Sequence, residues 1–330
     1  MSSAFSSASL PHPPAAWSHY LKMARLDHMT KHVFILPGLV LAYVLRTPPL
    51  QDAWWAILLG FASAVLIASS NYIINEWLDR EFDAFHPDKS SRPAVNMTMS
   101  ASRVYLAYAL ASVLGLALAY AVNPVFFAIS VLFWVSGVVY NVKPLRSKDK
   151  AYLDVLSESL NNPIRMMLGW AMIDASTIAP SSLLLAYWMG GAFLMGAKRL
   201  SEYREIAAGP GVAVLHRYRR SFQHYTEEKL TVSCFVYAMF STFLMGVFLV
   251  KYRIEYVLAF PFIILLFAHY LSLSMRSGSV AQKPEKLFRE KRLMLISALT
   301  VVALALLSFV DVPALSSFTV PYFVPVAKAT

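Results

Sequence analysis

Apolar residues along the chain gather into blocks of roughly 18 to 22, the length an α-helix needs to cross about 30 Å of hydrocarbon. Nine such blocks stand out, at about 32–48, 53–75, 103–121, 124–142, 153–173, 180–198, 231–251, 254–274 and 293–311. They predict an all-α polytopic membrane protein, about nine transmembrane helices bundled around a central cavity. Between the blocks, long and short connections alternate. The long ones (76–102, 143–152, 199–230 and 275–292) hold nearly all the charge, and the short ones are turns such as Asn123-Pro124. Residues 1–20 read as a disordered tail, 21–312 as the transmembrane domain and 313–330 as a second tail. The Ser-, Ala- and Pro-rich start has neither a basic region nor an apolar core, so it is not a cleavable signal.

Composition agrees, with 58% of the 330 residues apolar and 15% charged. A soluble core cannot hide that much apolar surface, and disorder, a β-sandwich and a dinucleotide-binding fold are excluded. The formal charge of +10 would suggest nucleic acid in a soluble protein. Here all but five of the 29 basic residues lie before the first block or around the long connections, the exceptions being Arg46, Arg165, Lys251, Arg253 and Lys328. The excess is therefore a topology signal. It places the amino terminus and the long basic loops in the cytoplasm and the carboxyl terminus outside, with a bacterial inner membrane as the default home and no nucleic-acid partner. One cysteine, Cys234, rules out an internal disulfide.

The second block closes on Asn75-Glu76-Trp-Leu-Asp79-Arg-Glu-Phe-Asp83, then His86-Pro87 and Ser91-Arg92-Pro93. Continued as a helix, Asn75, Asp79 and Asp83 are four apart and line one face, drifting about 40° per step. Two carboxylates and an amide in one small volume repel unless a cation fills it. Mg²⁺, bound through one or two carboxylates plus phosphate oxygens, is the natural occupant. These residues resemble the first aspartate-rich motif of the UbiA superfamily of intramembrane prenyltransferases, N-D-x-x-D-x-x-x-D, with Glu76 in place of its second residue. The resemblance implies a Mg²⁺-dependent enzyme that transfers a polyprenyl group from its diphosphate to a small polar or aromatic acceptor among membrane lipids. It also implies catalytic roles for Asn75, Asp79 and Asp83, and metal contacts for these three and Glu76.

Further clusters follow at the ends of even-numbered blocks. Tyr140, Lys143, Arg146 and Lys148 resemble the family loop whose basic side chains contact diphosphate, and Lys31 resembles its basic entry to the first span. At the end of block six, Lys198-Arg199-Leu-Ser-Glu202 stands where the family commonly has a second D-x-x-x-D. A Lys-Arg pair can cradle phosphate directly, with Glu202 beside it. This form is similar to the branch that moves phosphoribosyl from phosphoribosyl pyrophosphate onto decaprenyl phosphate, which makes phosphoribosyl transfer to polyprenyl phosphate the alternative activity. The fifth block carries Asp154, Glu158, Asn161, Asn162 and Arg165, with Pro163 among them. Charges at membrane depth cost about 3 kcal/mol each on insertion scales, so these side chains should face the bundle interior, as polar glue or as a wall that recognises the acceptor through Arg165. A secondary transporter is the competing class, with Asp154, Glu158 and Arg165 lining a path; it predicts vesicle uptake without Mg²⁺. The basic run Arg217, Arg219 and Arg220 reads as headgroup contacts or a lid.

Overall fold

The computed structural model describes residues 13–47, 53–276, 278–279, 281 and 284–318. Helices occupy all nine apolar blocks, and no strand forms among the described residues beyond one isolated bridge between Pro14 and Thr98. Among the described residues, five of the apolar segments are long and apolar enough to cross a membrane by themselves. They contain α3 (Ala53–Asp83), α5 (Ala101–Val122), α6 (Pro124–Asn141), α11 (Glu227–Tyr252) and, after a short helical turn from Ile254, α12 (Phe260–Ser274). Large apolar side chains such as Val113 and Tyr120 on α5, Phe235 and Phe243 on α11, and Val301 on α13 (Lys291–Leu307) point outward and exposed. Such a surface needs lipid around it, and the chain is an integral membrane protein.

Local chemistry sets several boundaries. The turn before α6 is fixed by Asn123, whose side chain accepts from the Phe126 amide at 2.7 Å, and by Pro124 in the first helical position. Thr226 caps α11 in the same way, followed by Glu227 and Glu228 in the positive first turn. Block five, expected as one span, is two helices, α7 (Leu153–Ser159) and α8 (Asn161–Ile173), meeting at Leu160. Pro163 explains the break, because it brings no N–H and its ring crowds the preceding turn. The tail ends earlier than expected. Pro13 and Ala15 hydrogen-bond to Thr98, and α1 runs from Trp17 to Met23, while residues 1–12 and 319–330 lie outside the described residues.

A stretch of 3-10 turns over Leu26–Ile35 leads into α2 (Leu36–Arg46), which crosses α8 at backbone contact. A Cβ on Gly38 would fall 1.9 Å from the Met166 carbonyl oxygen, and one on Gly169 would fall 2.1 Å from that of Ile35. Reciprocal glycines let two membrane helices touch where lipid offers no hydrophobic drive to join them. At the far end of the pair, Asp174 accepts from Arg46 at 2.9 Å and from the Ser176 and Thr177 hydroxyls. The 28-residue helix α9 (Ser181–Ala208) packs along α11, and the carboxyl ends of α3, α6 and α9 reach the same end of the bundle.

Gly169→Ala should lower stability by about 1–3 kcal/mol through this backbone clash. Gly246→Ala, whose Cβ would meet nothing within 4 Å, should be neutral or stabilising. Thermal unfolding in detergent micelles separates the two; equal behaviour would remove the close crossing from the account.

Candidate functional site

The helix α3 does continue to Asp83, as the spacing requires, and it carries Asn75, Asp79 and Asp83 on one face of its carboxyl-terminal end. The Asn75 amide nitrogen donates to Asp79 at 3.2 Å and to the Asn141 side chain at 2.6 Å. Asp79 and Asp83 line a narrow cleft with Lys89, Arg146, Lys148 and Arg219, and the cleft walls hold five basic against three acidic side chains. Glu76 is not there. One residue on from Asn75, it is turned about 100° round the helix, buried, and accepts from the Ala94 amide at 3.3 Å. Its work is to fix the short helix α4 (Pro93–Asn96), so the expected metal contact through Glu76 is withdrawn.

The loop after α6 supplies the opposite wall. Arg146, held in a left-handed conformation at φ 30°, reaches Asp79 at 2.7 Å and Asp149 at 3.0 Å. Lys148 reaches Asp79 at 2.7 Å and Asn141 at 2.8 Å. Burial pushes the Lys148 ammonium down to about 8, against the pull of Asp79. Lys143, expected beside them, is exposed ahead of a cis peptide to Pro144 and stays outside the cleft. Tyr140 points inward, donating to Glu158 at 2.8 Å and accepting from Arg219 at 2.9 Å.

Arg199 was expected to hold phosphate and instead is fully committed inside the protein. It meets Glu158 at 2.7 Å and Asp154 and Glu202 at 3.3 Å each, and is 2% exposed. A cation among three carboxylates is compensated several times over, so its role is to tie α7 to α9. Asp154 is equally occupied: besides Arg199 it accepts from Ser221 at 3.0 Å and Tyr225 at 2.7 Å, with Arg219 at 3.5 Å. Glu202 takes the Tyr218 hydroxyl and His86 Nε2, the latter at 3.1 Å. Because His86 Nδ1 accepts from the Asp88 and Lys89 amides, the ring proton sits on Nε2 and is donated to Glu202.

Four residues that sequence reasoning did not assign to the site are brought into it. Lys89 lies 3.9 Å from Glu202 and over the Tyr218 ring, and burial lowers its pKa. Arg92 pairs with Asp83. Tyr218, at the end of α10 (Val212–Tyr218), and Arg219 after it come from the long loop between α9 and α11. That run was read as headgroup contacts or a lid; in the structure Tyr218, Arg219 and Arg220 line the cleft. The signal available was the Lys89 and Arg92 spacing after Asp83; nothing local marks Arg219 over Arg217.

Deeper in the bundle, Asn162 packs against Gly191, where a Cβ would fall 2.2 Å from its amide nitrogen. Arg165 is buried with its guanidinium 5.0 Å from the Phe133 ring centre. Lys31 stands 5.4 Å above the Tyr72 ring. Lys198, unlike its neighbour Arg199, has no carboxylate within 4 Å among the described residues.

The donor set at Asp79, Asp83 and Asn75 fits Mg²⁺. Among the described residues no three Asp, Glu, His or Cys side chains converge to make an all-protein cage. A hard cation there would complete its shell with phosphate oxygens and water, which is how Mg²⁺ commonly binds.

A model of the UbiA prenyltransferase family matches residues 33–297. The protoheme IX farnesyltransferase of Alkalihalophilus pseudofirmus is 25% identical over 232 residues, covering 67% of this chain and 73% of its own. A UbiA homolog from Archaeoglobus fulgidus, solved with DMAPP and Mg²⁺, superposes with a TM-score of 0.66 at 21% identity, over 88% of this chain and 100% of that one. The same homolog solved with GPP and Mg²⁺ gives 0.66 at 22% identity and the same coverage.

Arg219→Gln and Lys89→Gln should each weaken binding of Mg²⁺-pyrophosphate about tenfold or more, the loss of one charge-assisted contact. Lys143→Gln should leave it unchanged. Calorimetric titration of the purified variants checks both, and an effect at Lys143 equal to that at Arg219 would misplace the cleft.

Proposed function

The chain belongs to the UbiA prenyltransferase family, and from that membership we propose that it is a Mg²⁺-dependent transferase whose donor is a prenyl diphosphate bound in the Asp79–Asp83 cleft. The observation that carries this reading is the pairing of two carboxylates on one face of α3 with a surplus of basic side chains lining the same cleft. Asp79 and Asp83, with Asn75, hold the ion. Once bound, Mg²⁺ supplies positive charge to the departing diphosphate.

The protein's own groups do the rest. As the bond between carbon and diphosphate oxygen lengthens, negative charge grows on the leaving group. Arg146, Lys148, Lys89 and Arg219 are already in place around it, so little reorganisation is needed when the charge appears. Arg146 and Lys148 pair with Asp79, and as cations beside the carboxylate that would hold the ion they are placed to contact phosphate oxygens. Tyr218 and Arg219 form part of the cleft wall and there would help to exclude water that would otherwise capture the electron-poor carbon. Arg92 pairs with Asp83 and orients its carboxylate. The charge asymmetry of the loops puts this end of the bundle in the cytoplasm, where soluble diphosphates are met, and we assign the protein to a bacterial inner membrane.

A second reading is favoured by one feature. The end of α9 carries Lys198 and Arg199, and Glu202, the next carboxylate along that helix, is spent on Arg199, His86 and Tyr218. A second carboxylate-held metal has no place there. Phosphoribosyl pyrophosphate presents the same diphosphate to the same cleft, with polyprenyl phosphate as acceptor.

Membranes from expressing cells, supplied with labelled prenyl diphosphate or labelled phosphoribosyl pyrophosphate, decide between the donors. Product from a prenyl diphosphate supports the first reading; product from phosphoribosyl pyrophosphate alone replaces it with the second. With either donor, Asp79→Asn and Asp83→Asn should each lower kcat by about 10²-fold or more. Full turnover in excess chelator would end the metal assignment.

A further inference from the structure

Lys89 is a cleft cation with a carboxylate at hand, and yet it is not drawn onto it. Its ammonium stands 3.9 Å from Glu202 Oε1, well beyond the roughly 2.7–2.9 Å of a charge-assisted hydrogen bond. It rests over the Tyr218 ring, 4.6 Å from the ring centre, and lines the cleft beside Asp83, which is paired with Arg92. The occupancy of Glu202 explains the gap. Each carboxylate oxygen has about two lone-pair directions. Oε1 receives His86 Nε2 at 3.1 Å and the Tyr218 hydroxyl, while Oε2 receives Arg199 at 3.3 Å. Neutral donors thus fill both directions at Oε1, and Lys89 keeps its charge facing the cleft.

His86 acts at both ring nitrogens. Nδ1 accepts from the Asp88 and Lys89 amides at 3.1 and 3.3 Å, which leaves Nε2 as the donor. The same contacts pin the start of the turn Lys89–Ser91, whose Lys89 carbonyl accepts from the Arg92 amide at 3.0 Å. The ring is 7% exposed, stands edge-on to Tyr218 with centres 4.5 Å apart, and is not among the side chains that line the cleft. A bound ligand therefore feels His86 only through its neighbours.

We propose that His86 is a positioning residue for Lys89: by filling Glu202 Oε1 together with Tyr218, it holds the Lys89 ammonium off that carboxylate and free for the diphosphate. The inference rests on the reading of the Asp79–Asp83 cleft as the diphosphate site. Without the His86 donor, one lone-pair direction of a buried carboxylate stands open beside an ammonium 3.9 Å away. Closing that gap makes a charge-assisted contact inside the protein in place of the one to phosphate.

The test uses the purified full-length protein in detergent, with Mg²⁺-pyrophosphate binding read by calorimetric titration and folding by thermal unfolding. His86→Gln carries an amide that reaches the place of Nε2 and still donates to Glu202, whereas His86→Asn is shorter and keeps only an acceptor near the place of Nδ1. The Gln variant should bind within about threefold of wild type, and the Asn variant should lose about tenfold. In a Lys89→Gln background the Asn substitution should cost less than about twofold, because its effect passes through Lys89. A merely structural histidine predicts the same loss in both backgrounds. Tyr218→Phe opens the other direction at Oε1 while keeping the ring; it should behave as His86→Asn does in both backgrounds, and it carries the test if the Asn variant does not fold. Equal loss with and without Lys89, or equal loss in the Gln and Asn variants, would overturn the role of His86. If Asp79→Asn and Lys89→Gln lose affinity while His86→Asn and Tyr218→Phe bind as wild type, only that role falls. If Asp79→Asn and Lys89→Gln themselves bind as wild type, the reading of the cleft fails and the role of His86 with it.

Discussion

Ionised side chains at the edge of a membrane must be paired, because the hydrocarbon beside them offers no water to solvate them. That constraint organises the charged end of this bundle. Arg199, buried among Asp154, Glu158 and Glu202, joins α7 to α9 and fixes the floor beneath the cleft. Glu202 then draws in His86 from the loop after α3 and Tyr218 from the loop before α11. Three segments far apart in sequence are thereby held around Asp79 and Asp83. The aspartates themselves are paired with Arg92, Arg146 and Lys148, cations that also suit phosphate. On the proposed function, these same paired cations receive the leaving group.

How much of this the sequence revealed depended on distance along the chain. Apolar blocks marked the helices, since burial in lipid is a property of each segment alone. The face shared by Asn75, Asp79 and Asp83 was legible because helical geometry fixes it locally, and so was the resemblance to the UbiA superfamily that the family match over residues 33–297 bears out. The break at Leu160 was signalled by Pro163 and passed over because the block was uniformly long.

Loop residues were less legible. Lys143 and Lys148 look alike in sequence, but a cis peptide and the left-handed Arg146 turn one outward and the other onto Asp79. Arg199 looked like a free cation because its three carboxylate partners come from two helices. Arg219 reaches the cleft only through the path of the whole loop between α9 and α11. Pairing partners distant in sequence decide which charges stay free, and those are set by tertiary structure.

A structure of the protein with Mn²⁺ and a non-reactive diphosphate, recorded at the manganese absorption edge, tests the central claim most directly. The account predicts an anomalous peak between Asp79 and Asp83, with diphosphate oxygens completing the metal's shell and Arg146, Lys148 and Arg219 turned onto the phosphates. A diphosphate bound away from α3, or a metal held elsewhere with Asp79 and Asp83 still locked to their arginines, would contradict it.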